Sequence, residues 1–258
     1  MDGNLGMPAD LPYTTYIAVL LLAFLSVFAT LLGVALAIYV GKNERAIAIG
    51  IGFSAGIMLL VSFFELVPKA VDNAGMGLAL TAVALGMLIV AALHWIIPHT
   101  HLVDEKGPFR QTLLRTAYLV TFGLILHDLP EGFAMANSYI ASPSLGILLA
   151  LAIAIHNVPE EFAMAVPIVM VKKRRFLYTA AFLSGLAEPL GAVIGLVAVH
   201  FHPALNPLFM AFAGGAMIFV SVHELLPMAR RYHNTHLFIL GAVISMFVYA
   251  LLAAMIPG

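Results

Sequence analysis

Eight apolar stretches, each long enough to cross the hydrocarbon of a bilayer, leave this chain little freedom in what it can fold into. They fall near residues 14 to 40, 46 to 67, 75 to 97, 114 to 138, 144 to 170, 176 to 200, 206 to 228 and 235 to 256, with short loops between them. A helical span needs about 20 apolar residues, and lipid accepts only helices or closed barrels because backbone groups there have no water to bond. The alternating pattern of barrel strands is absent, so the expected fold is an all-α membrane protein of eight transmembrane helices, a single transmembrane domain over residues 1–258. Composition agrees: 62% of the residues are hydrophobic and 10% charged, which is more apolar than a soluble core of this size requires.

Basic residues orient the bundle. With the first helix starting outside, one set of loops holds Lys42, Arg45, Lys106, Arg110, Arg115, Lys172, Lys173, Arg174, Arg175, Arg230 and Arg231, and the other holds only Lys69. That asymmetry places both termini outside and the loops near 41 to 45, 98 to 113, 171 to 175 and 229 to 234 in the cytoplasm, so the expected location is the cell membrane. The first apolar run is too long for a signal peptide and reads as a retained span. The KKRR run at 172 to 175 reads as a topology determinant and contact for anionic lipid, not as a nucleic-acid patch. Cysteine is absent, which removes disulfides and thiolate ligands and argues against a Cu(I) carrier.

Two repeats lie inside the spans. At an offset of 159, the stretch from Phe53 to Ala70 matches the seventh span at nine of eighteen positions, with Glu65 on Glu224 and Pro68 on Pro227. The two spans cross in opposite directions, so helices 1–3 and 6–8 are expected to form an inverted repeat of the kind found in secondary transporters. The fourth and fifth spans also repeat each other: HDLPEGFAMA at 127 to 136 and HNVPEEFAMA at 156 to 165 agree at seven of ten positions. Counting about 1.5 Å per residue puts both motifs near the bilayer midplane, where a transporter's substrate site is expected, on a central antiparallel helix pair.

Residues four apart on a helix share a face, so His127 lies over Glu131 and His156 over Glu160. Pro130 and Pro159 are expected to kink or open their helices beside these side chains. Asp128, Glu131, Glu160, Glu161 and Glu188 all fall well inside spans, at about 2.5–3.5 kcal/mol each, with no Lys or Arg at the same depth. The gross cost is on the order of 12–17 kcal/mol, and protonation, water or bound cations must offset it. Two central histidines beside the carboxylates favour zinc or a transition metal over calcium or magnesium.

HDLPEG in the fourth span, HNVPEE in the fifth, GLAEPLGA at 185 to 192 in the sixth and HELLP at 223 to 227 in the seventh resemble the motifs of ZIP (ZRT/IRT-like) divalent metal transporters, of the bacterial ZupT or GufA type. The resemblance covers nearly the whole chain and implies metal uptake through a paired metal centre. His127, Glu131 and Glu160 would form one site. Asp128, Asn157 and Glu188 would form the other, with Glu131 bridging. It also implies an elevator-like shift of helices one, four, five and six against two, three, seven and eight. Two positions depart from the usual family pattern. Asp128 stands where Asn is common, and Glu161 stands where Gly is common; a related branch of the family has Glu at the latter place, in its HExPHE motif. Glu161 shares a face with Asn157 and would add a carboxylate or proton acceptor to the second site.

The expected function is therefore uptake of a divalent metal ion by alternating access, with Zn²⁺ the leading cargo by resemblance and Fe²⁺, Mn²⁺, Co²⁺ and Cd²⁺ also compatible with imidazole and carboxylate ligands. No resident cofactor is expected. The partners are metal ions and lipid, with a homodimer left open and no nucleic acid. Glu65 near the outer end of its span, and His223 and Glu224 near the inner end of theirs, are candidate ligands on the way in and out. A membrane-embedded metal hydrolase is the rival class. The HExxH signature is absent, however, and neither paired motif carries a Ser or Cys nucleophile. His94, His99 and His101 with Asp104 and Glu105, like His200 and His202, read more readily as solvated loop residues than as metal collectors, and Met58, Met135 and Met164 as packing.

Overall fold

A computed structural model describes residues 11–41, 43–96, 128–169, 174–227 and 234–256, which are helical apart from short connections. We number the helices in chain order: α1 Tyr13–Val40, α2 Glu44–Ala74, α3 Met76–Ile96, α4 over 128–141 and α5 Pro143–Val169. Helix α6 has two segments, Arg174–Gly185 and Ala187–Phe201. Helix α7 runs from Asn206 to Val220 and on through a wider turn, Ser221–Leu225, and α8 is Thr235–Met255. Seven of these helices are long and apolar enough to cross a membrane, and α4 is described over fourteen residues. The all-helical membrane fold expected from the apolar pattern is present.

Local chemistry sets the boundaries. Asn43 caps α2 by accepting a hydrogen bond from the Ala46 N–H at 3.2 Å, with Glu44 in the first turn beside the positive end of the helix dipole. A single residue, Gly75, separates α2 from α3, and its φ of 83° is open to glycine at little cost. In α6, Pro189 has no N–H to offer the Gly185 carbonyl, and the helix is broken into two segments at Leu186, whose own N–H and carbonyl still bond Phe182 and Leu190 at 3.1 Å.

Pro68 was expected to lie just past the end of the second span, yet α2 continues through it for 31 residues in all. The helix accommodates the ring by widening first: Ser62–Leu66 is a π turn in which the Val67 N–H reaches back to the Ser62 carbonyl. The same device recurs before Pro227 in α7, where Ser221–Leu225 is a π turn and the Leu226 N–H reaches the Ser221 carbonyl. The two π turns are 159 positions apart, the offset of the sequence repeat. Helix α5, by contrast, keeps its helical assignment straight through Pro159, so the opening expected there is not seen as an interruption.

Packing follows the repeat as well. Helix α2 packs chiefly on α8, and α3 on α7, two pairs that exchange under the 159-residue offset. Small residues let the backbones touch. A Cβ on Gly56 would meet Ser245 and Ala242 of α8, and one on Gly215 would fall on the Val83 backbone of α3. Gly56 and Gly215 are related by the offset, as are Val83 and Ala242. Without a hydrophobic force between helices in lipid, such close approach is what holds them together. Helix α1 packs on α5 and both parts of α6, and α2 also lies along α5, so α5 joins the two groups.

Gly215→Val places a side chain where the Val83 backbone now lies and should lower stability by about 1–3 kcal/mol. Thermal unfolding in detergent checks this. Gly77→Ala, whose added carbon meets nothing within 4 Å, should leave the midpoint nearly unchanged.

Candidate metal centre

The acidic residues of α4, α5 and α6 meet in the interior of the bundle because the backbones of α4 and α6 nearly touch. A Cβ on Gly132 would fall on the carbonyl, carbon and Cα of Glu188, and one on Gly191 would fall on the Leu129 carbonyl. The glycine of HDLPEG and that of EPLG thus let Glu131 and Glu188 approach. Ligand oxygens of Asp128, Glu131 and Glu188 all lie within 4.8 Å of one another, the one such group of three among the described residues. On the other side, Gly33 of α1 sits against the Val158 carbonyl and the Glu161 side chain.

His156 shows what this cluster is built to accept. Its Nδ1 lies 2.9 Å from the Ala152 carbonyl, which can only accept, so Nδ1 carries the ring hydrogen. Nε2, the lone-pair side whenever the ring is neutral, faces Glu131 Oε1 at 3.3 Å and Glu160 Oε2 at 4.0 Å. A lone pair turned on two carboxylates is repulsive unless a proton or a cation stands between them. The backbone bond on the far nitrogen is the arrangement that orients metal-bound histidines.

A second set of contacts lies beside the first. The Asn157 amide donates to Glu188 Oε1, and the Ser26 hydroxyl of α1 also bonds Glu188. The Ser184 hydroxyl of α6 is 2.7 Å from Asp128 Oδ2 and 3.1 Å from Glu161 Oε1. One hydroxyl has one hydrogen, so it cannot fully satisfy both carboxylates. All these side chains, from Asp128 to Glu188, are at most 3% exposed.

The structure therefore brings together Asp128, Glu131, His156, Asn157, Glu160, Glu161 and Glu188. His127 lies outside the described residues, as does the loop with His99, His101, Asp104 and Glu105. The residues proposed for the way in and out stand apart from the cluster. Glu65, in the first π turn, accepts a 2.5 Å hydrogen bond from the Tyr249 hydroxyl of α8. In the second π turn Glu224 is buried, while His223 is exposed and stacked on Phe219 at 4.8 Å. His200 and His202 are exposed. Ser26, Ser184 and Tyr249 are functional neighbours that sequence reasoning missed. A serine four residues before Glu188 was the one available signal.

Comparison with known proteins adds an independent line. The profile of the family described as ZIP Zinc transporter matches residues 98–256. A protein named Zinc transporter ZupT from Chlorobium luteolum is 37% identical over 257 residues, covering 91% of this chain and 96% of its own. Proteins of the same name from Corynebacterium aurimucosum and Clostridium perfringens are 36% and 32% identical, covering 91% and 89% of this chain and 95% and 93% of their own lengths.

Glu188→Gln removes one of three acids held within 4.8 Å of one another while keeping a polar side chain for Asn157 and Ser26. In chelator, relief of about 1 kcal/mol should raise the thermal midpoint by roughly 2–4 °C. A midpoint that stays put or falls would mean the three acids are already compensated without metal.

Proposed function

We propose that this chain, which belongs to the ZIP zinc transporter family, carries Zn²⁺ across the cell membrane into the cytoplasm by alternating access through a two-ion site at the midplane. It is a multi-pass membrane transporter of divalent metal ions rather than an enzyme, and the metal is its cargo. The observation that carries the finer reading is the orientation of His156, whose Nδ1 is held by the Ala152 carbonyl so that Nε2 faces Glu131 and Glu160.

In this reading His156, Glu131 and Glu160, with His127, hold one ion through an imidazole and carboxylate set suited to zinc. Asp128, Asn157 and Glu188 hold the second, with Glu131 shared between them. Ser184 ties Glu161 to Asp128, so the additional carboxylate belongs to the second ion. Protons compete for the same lone pairs and assist release. The packing of α1 on α5 and α6, and of α2 with α8 and α3 with α7, supports a movement of the first group against the second. Termini outside and release toward the basic loops complete the proposal.

Uptake into proteoliposomes holding a metal-sensitive dye tests it. Zn²⁺ flux should be abolished in Glu131→Ala, and equal flux in both proteins would refute the site. Running Fe²⁺, Mn²⁺ and Cd²⁺ in parallel sets the preference. Glu161→Gly should change the order of preference or weaken half-saturation by roughly tenfold, on the scale of a lost site-supporting contact. An unchanged metal profile would assign Glu161 to packing.

A further inference from the structure

Helix α2 carries a seat for the turn of α5 that bears His156. The Ser54 hydroxyl donates to the His156 carbonyl at 2.8 Å, and both residues are fully buried. One turn earlier on α2, a Cβ on Gly50 would fall 2.9 Å from Pro159 Cβ, so the proline lies directly on the α2 backbone. Helix α5 packs with α1 and α6, and α2 packs chiefly on α8, so the Ser54 bond runs from one helix group to the other. A second bond also crosses: the Asn206 amide of α7 donates to the Asn137 carbonyl of α4 at 3.1 Å.

Neither end of the Ser54 bond is committed to it. The His156 carbonyl is also the acceptor of the Glu160 N–H in the α5 ladder, and a carbonyl oxygen has two lone pairs. The Ser54 hydroxyl has an alternative on its own helix, the Gly50 carbonyl four residues back. Ser62 and Ser221 make that kind of bond, to the Met58 and Met217 carbonyls at 2.7 and 2.8 Å. Opening the contact therefore leaves no buried polar group without a partner, which suits a bond that forms and breaks in every cycle.

The repeat makes the fastening one-sided. At the 159-residue offset Gly50 falls on Phe209, Ser54 on Ala213 and Asn206 on Ile47. There α7 meets α4 through rings, with Phe133 edge-on to Phe209 and Phe212 at centroid distances of 5.7 and 6.2 Å. Neither Ala213 nor Ile47 has a side-chain donor. Related halves that rock against each other give two states of similar packing. Bonds whose counterparts cannot form favour one of the two.

We propose that Ser54 is a latch between the two helix groups, closed in this structure and open in the opposite access state, and that it sets the balance between the two. The latch rests on the transport reading, in which one group moves against the other.

The chain has no cysteine, so cysteines placed at exposed Ala141 of α4 and exposed Met255 of α8 carry the only spin labels. Pulsed electron paramagnetic resonance on the doubly labelled protein in liposomes then reads the populations of the two separations. Ser54→Ala should lower the share of this state relative to the other about fivefold, the effect of one hydrogen bond, while the Asn206 bond keeps the shift from being complete. Zn²⁺ affinity of the central site in detergent should stay within twofold. Ser62→Ala loses a similar bond within α2 alone and should leave the ratio within twofold. An unchanged ratio in Ser54→Ala, or an equal shift in Ser62→Ala, would overturn the latch and leave the transport reading standing. One fixed separation in every variant, with Zn²⁺ and without it, would instead defeat the movement of the groups and the latch with it.

Discussion

Carboxylates taken out of water are the constraint on which the rest of this structure depends. None of the buried charged residues described is a lysine or arginine, while Asp128, Glu131, Glu160, Glu161 and Glu188 are nearly inaccessible. Their cost can be met only if they act together, and acting together requires backbones closer than ordinary side chains permit. Gly132 and Gly191 between α4 and α6, with Gly33 between α1 and α5, provide that closeness. Helix packing in the membrane and assembly of the centre are thus one problem with one solution. A methyl group at any of these glycines disturbs both.

The two halves of the molecule solve a second problem in the same way. A proline near the end of α2 or α7 needs its preceding carbonyl moved aside, and each helix makes room by one wide turn that carries a glutamate. Ser62 and Ser221 steady these turns by donating to the Met58 and Met217 carbonyls at 2.7 and 2.8 Å. Ser221 also lies 3.6 Å from Met58 Sδ, so the two repeated elements meet where they are widened. The halves diverge in what the glutamate does: Glu65 is tied to α8 by Tyr249, and Glu224 is buried beside an exposed histidine ring.

Much of this was legible before any coordinates. Apolar length marked the spans, and the 159-residue offset foretold the paired π turns in position though not in kind. The i, i+4 rule put His156 over Glu160. It could not show that Glu131, from another helix, faces the same nitrogen, because spacing within a helix says nothing about which neighbour a face meets. Serines were illegible for a related reason. Ser26 and Ser184 are ordinary residues of a membrane helix until the opposing carboxylate is known. Helix α5 runs on through Pro159, because losing one backbone bond does not by itself end a long helix packed along its neighbours.

The hydrogen bond from His156 Nδ1 to the Ala152 carbonyl has a consequence for how charge moves through the centre. A free imidazole can take a proton on one nitrogen and give it up from the other, and so pass it along. With Nδ1 held by its own helix, the ring of His156 has a single working face. Whatever sits on Nε2 must leave before anything else arrives. The histidine is a turnstile rather than a wire, and ions and protons at this point can only replace one another.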